Sequence, residues 1–188
     1  EEMWSKWLGV KYSVFVNSGS SANLVSISYL RTLYSSGEII VPTLTWVSDI
    51  TSILYSNFKP VFVDINLETL SLDDSNLEKV INKKTRAIFI THLLGLNGLT
   101  DKILKLVKKY KIYLIEDVCE SHGAMHNDRR LGSIGQISNF SFYYAHHLTT
   151  IEGGMICTND PEIYEIARML RSHGLVRESR SNDLKNRI

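Results

Sequence analysis

Short apolar runs alternate along the chain with segments whose apolar residues recur every three or four positions. Val14–Val16, Ile39–Val41, Val61–Val63, Ala87–Ile90 and Ile112–Ile115 are β-branched or aromatic almost throughout, the pattern of strands buried on both faces. Between them the helical spacing predicts helices over Ser20–Tyr34, Thr45–Tyr55, Ser75–Ile81 behind a cap at Asp74, and Leu99–Tyr110. In Leu99–Tyr110, Leu104, Leu106 and Val107 share one side and lysines the other. Asp160-Pro161 opens a last helix, Glu162–Arg171. After Ile137 the alternation changes: Ser138–Tyr143 and Gly154–Thr158 read as two strands joined by a polar connection, His146–Gly153.

Strand followed by helix, repeated about five times, predicts an α/β domain with a mostly parallel sheet covered by helices on both faces. Such sheets bind ligands beyond the carboxyl ends of their strands. Residues 17–21, 42–46, 64–66, 92–95 and 116–122 are therefore the segments to inspect.

Composition narrows the classes. With 44% hydrophobic and 22% charged residues there is enough apolar material for one core. A net charge of +1 gives no reason to expect nucleic acid or an anionic membrane as partner. The longest apolar runs are far too short to cross a bilayer, and the opening Glu1-Glu2-Met3-Trp4 has no hydrophobic leader. Cys119 and Cys157 have no metal-ligand spacing, so no metal is expected; they read as reduced thiols of a cytoplasmic protein. The chain does not begin with methionine and ends in the polar run Arg177–Asp183, which suggests a fragment without a second domain.

Three segments carry candidate chemistry. In Asn17-Ser18-Gly19-Ser20-Ser21-Ala22-Asn23, glycine permits close backbone approach and serines stand beside free N–H groups at a helix start. This suits a phosphate, although a plain serine cap, which needs only one of these residues, is the simpler explanation of the segment taken alone. Ile115-Glu116-Asp117, followed by Glu120 and His122, puts carboxylates at the ligand edge. One use is holding a pyridinium nitrogen protonated; a solvated strand end and a magnesium ligand are the others. From Ser138 to Gly154, small residues and hydroxyls surround His146 and His147. Neighbours on a strand point to opposite faces, which argues against chelation by both histidines.

Together with Pro42-Thr43-Leu44-Thr45-Trp46, His122-Gly123-Ala124, Leu148-Thr149-Thr150, Glu152-Gly153-Gly154-Met155 and Arg171-Ser172-His173-Gly174, these segments resemble the DegT/DnrJ/EryC1/StrS family. Its members are sugar aminotransferases of fold type I that use pyridoxal 5′-phosphate (PLP). The resemblance runs from near residue 1 to about Gly174. It implies that residues 1–188 are the PLP-binding large domain, without an N-terminal segment and a smaller C-terminal domain. It implies that Gly19, Ser20 and Ser141 hold the cofactor phosphate, that Trp46 stacks on the ring, that Asp117 pairs with the ring nitrogen, and that Glu120 stands near the phenolic oxygen. It also implies a homodimer, with His173 reaching a substrate site or the partner subunit's site.

One departure changes the expected chemistry. Family aminotransferases carry a lysine that tethers the PLP aldehyde and moves a proton; the aligned position here is His146, and no lysine occurs between Lys111 and Lys185. Imidazole forms no Schiff base but still moves protons near neutrality. The His-His…Glu-Gly-Gly arrangement resembles a branch of the family, the NDP-4-keto-6-deoxyhexose 3-dehydratases. That branch implies an amino group from glutamate, a pyridoxamine 5′-phosphate form, His146 as acid and base, and loss of the sugar's C3 hydroxyl. The absence of a proline in Phe142-Tyr143-Tyr144-Ala145 favours GDP-sugars over the CDP-hexose members. His147 either orients His146 or packs, and packing is the expectation. The rivals are an aminotransferase using a lysine from elsewhere and a cofactor-binding paralogue without activity.

Overall fold

The computed structural model describes residues 1–179. Residues 180–183 of the polar run, and Lys185, lie outside the described residues. Seven strands form one sheet: β1 (Tyr12–Val16), β2 (Glu38–Pro42), β3 (Lys59–Val63), β4 (Thr85–Thr91), β5 (Tyr113–Asp117), β6 (Ile137–Ser141) and β7 (Gly154–Thr158). Their order is β1-β7-β6-β5-β4-β2-β3, and β7 alone runs against the others. The predicted mostly parallel α/β sheet is thus the observed one.

Both faces are covered. Ile39 and Val41, Phe89, Ile115 and Ile156 point to the side packed by α2 (Gly19–Leu33), α3 (Val47–Tyr55) and α6 (Pro161–Arg171). Ile40, Ile88, Ile90, Leu114 and Met155 point to the side packed by α1 (Glu2–Leu8), α4 (Leu77–Val80) and α5 (Asp101–Tyr110). Adjacent residues on a strand face opposite ways, so two buried faces require the unbroken apolar runs seen in the sequence. The exceptions lie at the sheet's edges, where Phe15 and Phe62 keep part of their surface in solvent.

Helix ends differ from expectation in instructive ways. Asp160 caps α6 as predicted, accepting from the N–H groups of Glu162 and Ile163. Asp74 does not cap the next predicted helix. Its carboxylate accepts from the Thr100 hydroxyl at 2.5 Å, and α4 is a single turn that begins after Asn76. Thr100 in turn caps α5 through Ile103 N–H. α1 was not predicted; its only signal is Trp4 and Leu8 one turn apart. Strand β6 also stops at Ser141, two residues early, because Phe142 N–H turns to the Gly153 carbonyl and closes a loop over residues 142–153.

The return of the chain through β7 brings two parallel strand ends together. Gly154 is paired with both Ser141 of β6 and Val16 of β1. A side chain there would collide with the Ser18 backbone, so only glycine lets the start of α2 lie against the sheet.

Candidate active site

The carboxyl ends of β1, β2, β4, β5 and β6 converge on a cleft of about 830 Å³. Segments 17–21, 42–46, 92–95 and 116–122 contribute to it as expected. Segment 64–66 does not: β3 is the sheet's edge, and Ile65–Asn66 instead pairs with Ser71–Leu72 in a separate ribbon. Gly19, Ser20, Trp46, Asp117, Glu120, Ser141, His146 and His147 all line the cleft. His173 does not; it is exposed beyond α6, with a left-handed φ of 63°.

At one end lies the start of α2. Ser18 caps the helix, accepting from Ser21 N–H at 3.1 Å, and among the described residues this leaves the N–H groups of Gly19 and Ser20 as unpaired donors of the first turn. Capping and anion binding are therefore compatible, not alternatives. A Cβ on Gly19 would sit 2.7 Å from Ser141 Cβ and 3.0 Å from Cys119 Sγ. The glycine thus keeps room where helix start, β6 and the loop after β5 meet.

The two acids at the end of β5 have opposite fates, as strand alternation demands. Glu116 is fully buried and turned away from the cleft. It accepts N–H bonds from Gly132, Ile134 and Gly135, and His92 Nε2 lies 3.3 Å from it. Gly98 N–H donates to His92 Nδ1 at 3.1 Å, which leaves the ring proton on Nε2, pointed at the carboxylate. Burial alone would raise the Glu116 pKa, but His92 and the backbone donors outweigh it and hold the carboxyl below its usual range. Asp117 faces the cleft and accepts from Cys119 N–H at 2.9 Å.

Below Asp117 lies a polar layer that the sequence reading did not pick out. Asn23 Nδ2 reaches Asp49 Oδ1 at 2.6 Å, Ser48 Oγ at 3.1 Å and Asp117 Oδ2 at 3.3 Å. Asp49 is buried, and burial together with the neighbouring Asp117 raises its pKa well above the carboxylate range. The sequence signal is weak: Asn23 and Asp49 share their buried helix faces with Ser26, Ser48 and Ser52 as well as with Ile27, Leu30 and Ile53.

The opposite wall is formed by Trp46, 62% exposed at the start of α3, and by the loop after β6. His146 and His147 lie in a turn, not on a strand, so strand alternation does not separate them; both line the cleft. Behind them sits His122, whose ring centre is 6.4 Å from His146 and 5.8 Å from His147. His122 packs against Trp4, Phe140 and Phe142. Burial, reinforced by the two neighbouring histidines, lowers its pKa to about 4. His147, expected to pack, is exposed. Glu120 is half-buried, its Oε2 3.4 Å from Leu94 N. Among the described residues no lysine lines the cleft, and no group of three or more metal-ligating side chains forms.

A doubly covered, mostly parallel sheet with an acid, an indole, a helix start and histidines at one edge defines a class. The chain belongs to the DegT/DnrJ/EryC1/StrS aminotransferase family, whose profile matches residues 1–187. It is 39% identical over 182 residues to GDP-4-keto-6-deoxy-D-mannose 3-dehydratase of Escherichia coli, covering 94% of this chain and 47% of that protein. It is 34% identical over 175 residues to GDP-perosamine synthase of Caulobacter vibrioides, covering 93% of this chain and 47% of that protein. A solved structure of E. coli GDP-4-keto-6-deoxy-D-mannose-3-dehydratase with bound hydrated PLP superposes with a TM-score of 0.90 at 37% identity, over 97% of this chain and 51% of that one. The chain spans about half the length of the curated relatives it matches. Among the described residues no helix is long and apolar enough to cross a membrane.

Proposed function

We propose that this chain is the PLP-binding large domain of a nucleotide-sugar 3-dehydratase, acting on an NDP-4-keto-6-deoxyhexose, with a GDP-sugar favoured. Glutamate is the amino donor in this reading, and the enzyme is a cytoplasmic homodimer. The observation that carries it is His146 in the cleft, together with Asp117, Trp46 and Ser141, in a family whose aminotransferases carry a lysine there. Two free cysteines fit a reducing compartment. The 39% identity to a GDP-sugar dehydratase supports the substrate class.

The residues present fit PLP. The open space kept by Gly19, the unpaired N–H groups of Gly19 and Ser20, and the hydroxyls of Ser20 and Ser141 suit its phosphate. The exposed indole of Trp46 offers an apolar platform for an aromatic ring. Asp117 would offer one carboxylate to a protonated ring nitrogen, and by the resemblance Glu120, which also lines the cleft, would stand near the phenolic oxygen. When bound in its amine form, the cofactor supplies an amine for the sugar ketone and a ring that stores electrons.

The protein's own part is then acid–base work and positioning. A ring nitrogen of His146 takes up and returns the proton that the family lysine would otherwise move, and forms no covalent tether. Asp117 would pair with the protonated ring nitrogen. His122, kept neutral by burial, backs the His146–His147 turn without adding positive charge to it. His173 and His147 have no assigned step; His173 at a partner's site remains part of the homodimer proposal.

The test uses the complete protein with GDP-4-keto-6-deoxymannose and glutamate. Product analysis is expected to find the 3-deoxy-4-keto sugar, and borohydride to leave no cofactor bound covalently. His146→Lys is expected to slow dehydration; unchanged dehydratase turnover in that variant would refute the role of His146. An amino sugar as the wild-type product would favour the aminotransferase instead.

A further inference from the structure

Asp117 faces the cleft with no cation to hold it: among the described residues neither Asp117 nor the neighbouring Asp49 enters an ion pair. Its main chain is fixed by the sheet and by His92, whose N–H donates to the Asp117 carbonyl at 2.9 Å. Its side chain has one contact for each oxygen. Cys119 N–H donates to Oδ1 at 2.9 Å, and Asn23 Nδ2, on α2, donates to Oδ2 at 3.3 Å. A single contact leaves a carboxylate free to swing about it; two contacts fix its plane.

The acceptors around Asn23 set the way its amide is turned. Nδ2 meets Asp49 Oδ1 at 2.6 Å and Ser48 Oγ at 3.1 Å as well as Asp117 Oδ2. Turned over, the amide would present a carbonyl oxygen to two carboxyl groups. Its two N–H protons match the two carboxyl oxygens, so one neutral group joins both acids. Asn23 is 1% exposed, which keeps water from competing for these bonds.

Asn23 is anchored in turn. Asp49 accepts at its other oxygen from the hydroxyls of Thr45 at 2.5 Å and Thr91 at 2.9 Å. Thr45 and Asp49 stand on either side of Trp46 and Val47 in the chain, and Thr91 ends β4. The series Thr45, Asp49, Asn23, Asp117 therefore ties the helix that carries the indole to α2 and to β5 beneath the cleft. Along α2, Asn23 follows Gly19 by one turn, about 6 Å of helix. One rigid element thus presents both the N–H groups at its start and the donor to the acid.

We infer that Asn23 is a positioning residue: supported on Asp49, it donates to Asp117 Oδ2 and so aims the carboxylate into the cleft, in fixed register with the start of α2. The consequence for binding rests on the reading of Asp117 as partner of a cofactor's ring nitrogen. The hold of Asn23 on Asp117 rests on the geometry alone.

Two double-mutant cycles on the complete protein test it, built from Asn23→Leu, Asp117→Ala and the double variant. Leucine keeps the bulk of the amide and removes its donors. The first cycle reads PLP affinity by tryptophan fluorescence. Asn23→Leu is expected to weaken binding about tenfold in the wild-type background and less than about twofold where residue 117 is already alanine. Equal losses in the two backgrounds, the mark of a merely structural residue, overturn the inference, and so does unchanged affinity in Asn23→Leu. The second cycle reads urea unfolding without PLP. A coupling of about tenfold in the unfolding constant is expected, as for a hydrogen bond to a charged group. Additive effects there overturn the hold itself. If the wild type binds no PLP, the cofactor reading falls, and the second cycle still decides whether Asn23 holds Asp117. Asn23→Ala, which adds no bulk, takes the place of Asn23→Leu in both cycles if the leucine variant does not fold.

Discussion

Replacing Glu116 by glutamine tests how the fold aims its acids. Every outward acceptor position of Glu116 is in use: Oε1 accepts from Ile134 at 3.0 Å and Gly135 at 2.6 Å, and Oε2 from Gly132 at 2.9 Å, with His92 at 3.3 Å. Glutamine keeps the shape and one acceptor oxygen, but its NH₂ must face two donors whichever way the amide is turned. Each unmade buried hydrogen bond costs about 1–3 kcal/mol, so two give a loss of about 2–6 kcal/mol. For a unit of this size that is a fall of about 4–24 °C in melting temperature. The assay is thermal unfolding by circular dichroism, repeated in urea.

The pH dependence supplies the sign. The folded Glu116 pKa lies below its ordinary value, so its contribution is present above about pH 4.3 and is lost as the pH falls through the folded value. The gap between wild type and variant should therefore narrow in acid. A variant that melts within about 1 °C of the wild type at pH 7 would refute the proposed lock between β5 and the loop over residues 132–135.

Two further substitutions probe the cleft. Gly19→Ala puts a methyl 2.7 Å from Ser141 Cβ and should keep the fold while weakening PLP binding about tenfold or more, read by fluorescence titration; unchanged affinity would move the phosphate elsewhere. His122 has a pKa lowered to about 4, so the wild type should lose stability, by up to about 3 kcal/mol, as pH falls from about 6.5 toward that value. His122→Phe should flatten this slope in pH-dependent melts, and an identical slope in both proteins would show that another group titrates.

The sequence by itself determined the layers. Unbroken runs such as Ile39–Val41 and Ala87–Ile90 leave no polar face, so a strand made from them must be covered on both sides, and the helical spacing of α2, α5 and α6 supplies the cover. It also determined which residue types crowd the ligand edge, because Ser18-Gly19-Ser20, Trp46, Asp117, Ser141 and His146 each follow or end a legible strand. Local signals did not decide where helices begin when a cap found a distant partner: Asp74 went to Thr100, 26 residues away, and α4 shrank to one turn.

Only the tertiary structure decided the direction of β7, which brings β1 and β6 together at Gly154, and the exclusion of His173 from the cleft. It alone separated Glu116 from Asp117, giving one to the scaffold and one to the cleft. It alone placed Asp49 against Thr45 and Thr91. The physical reason is the same in each case. Hydrophobic periodicity reports whether a side chain is buried, a property of one element. The partner of a buried polar atom is set by a second element that may lie anywhere in the chain, and here it determines which carboxyl serves the scaffold and which faces the cleft.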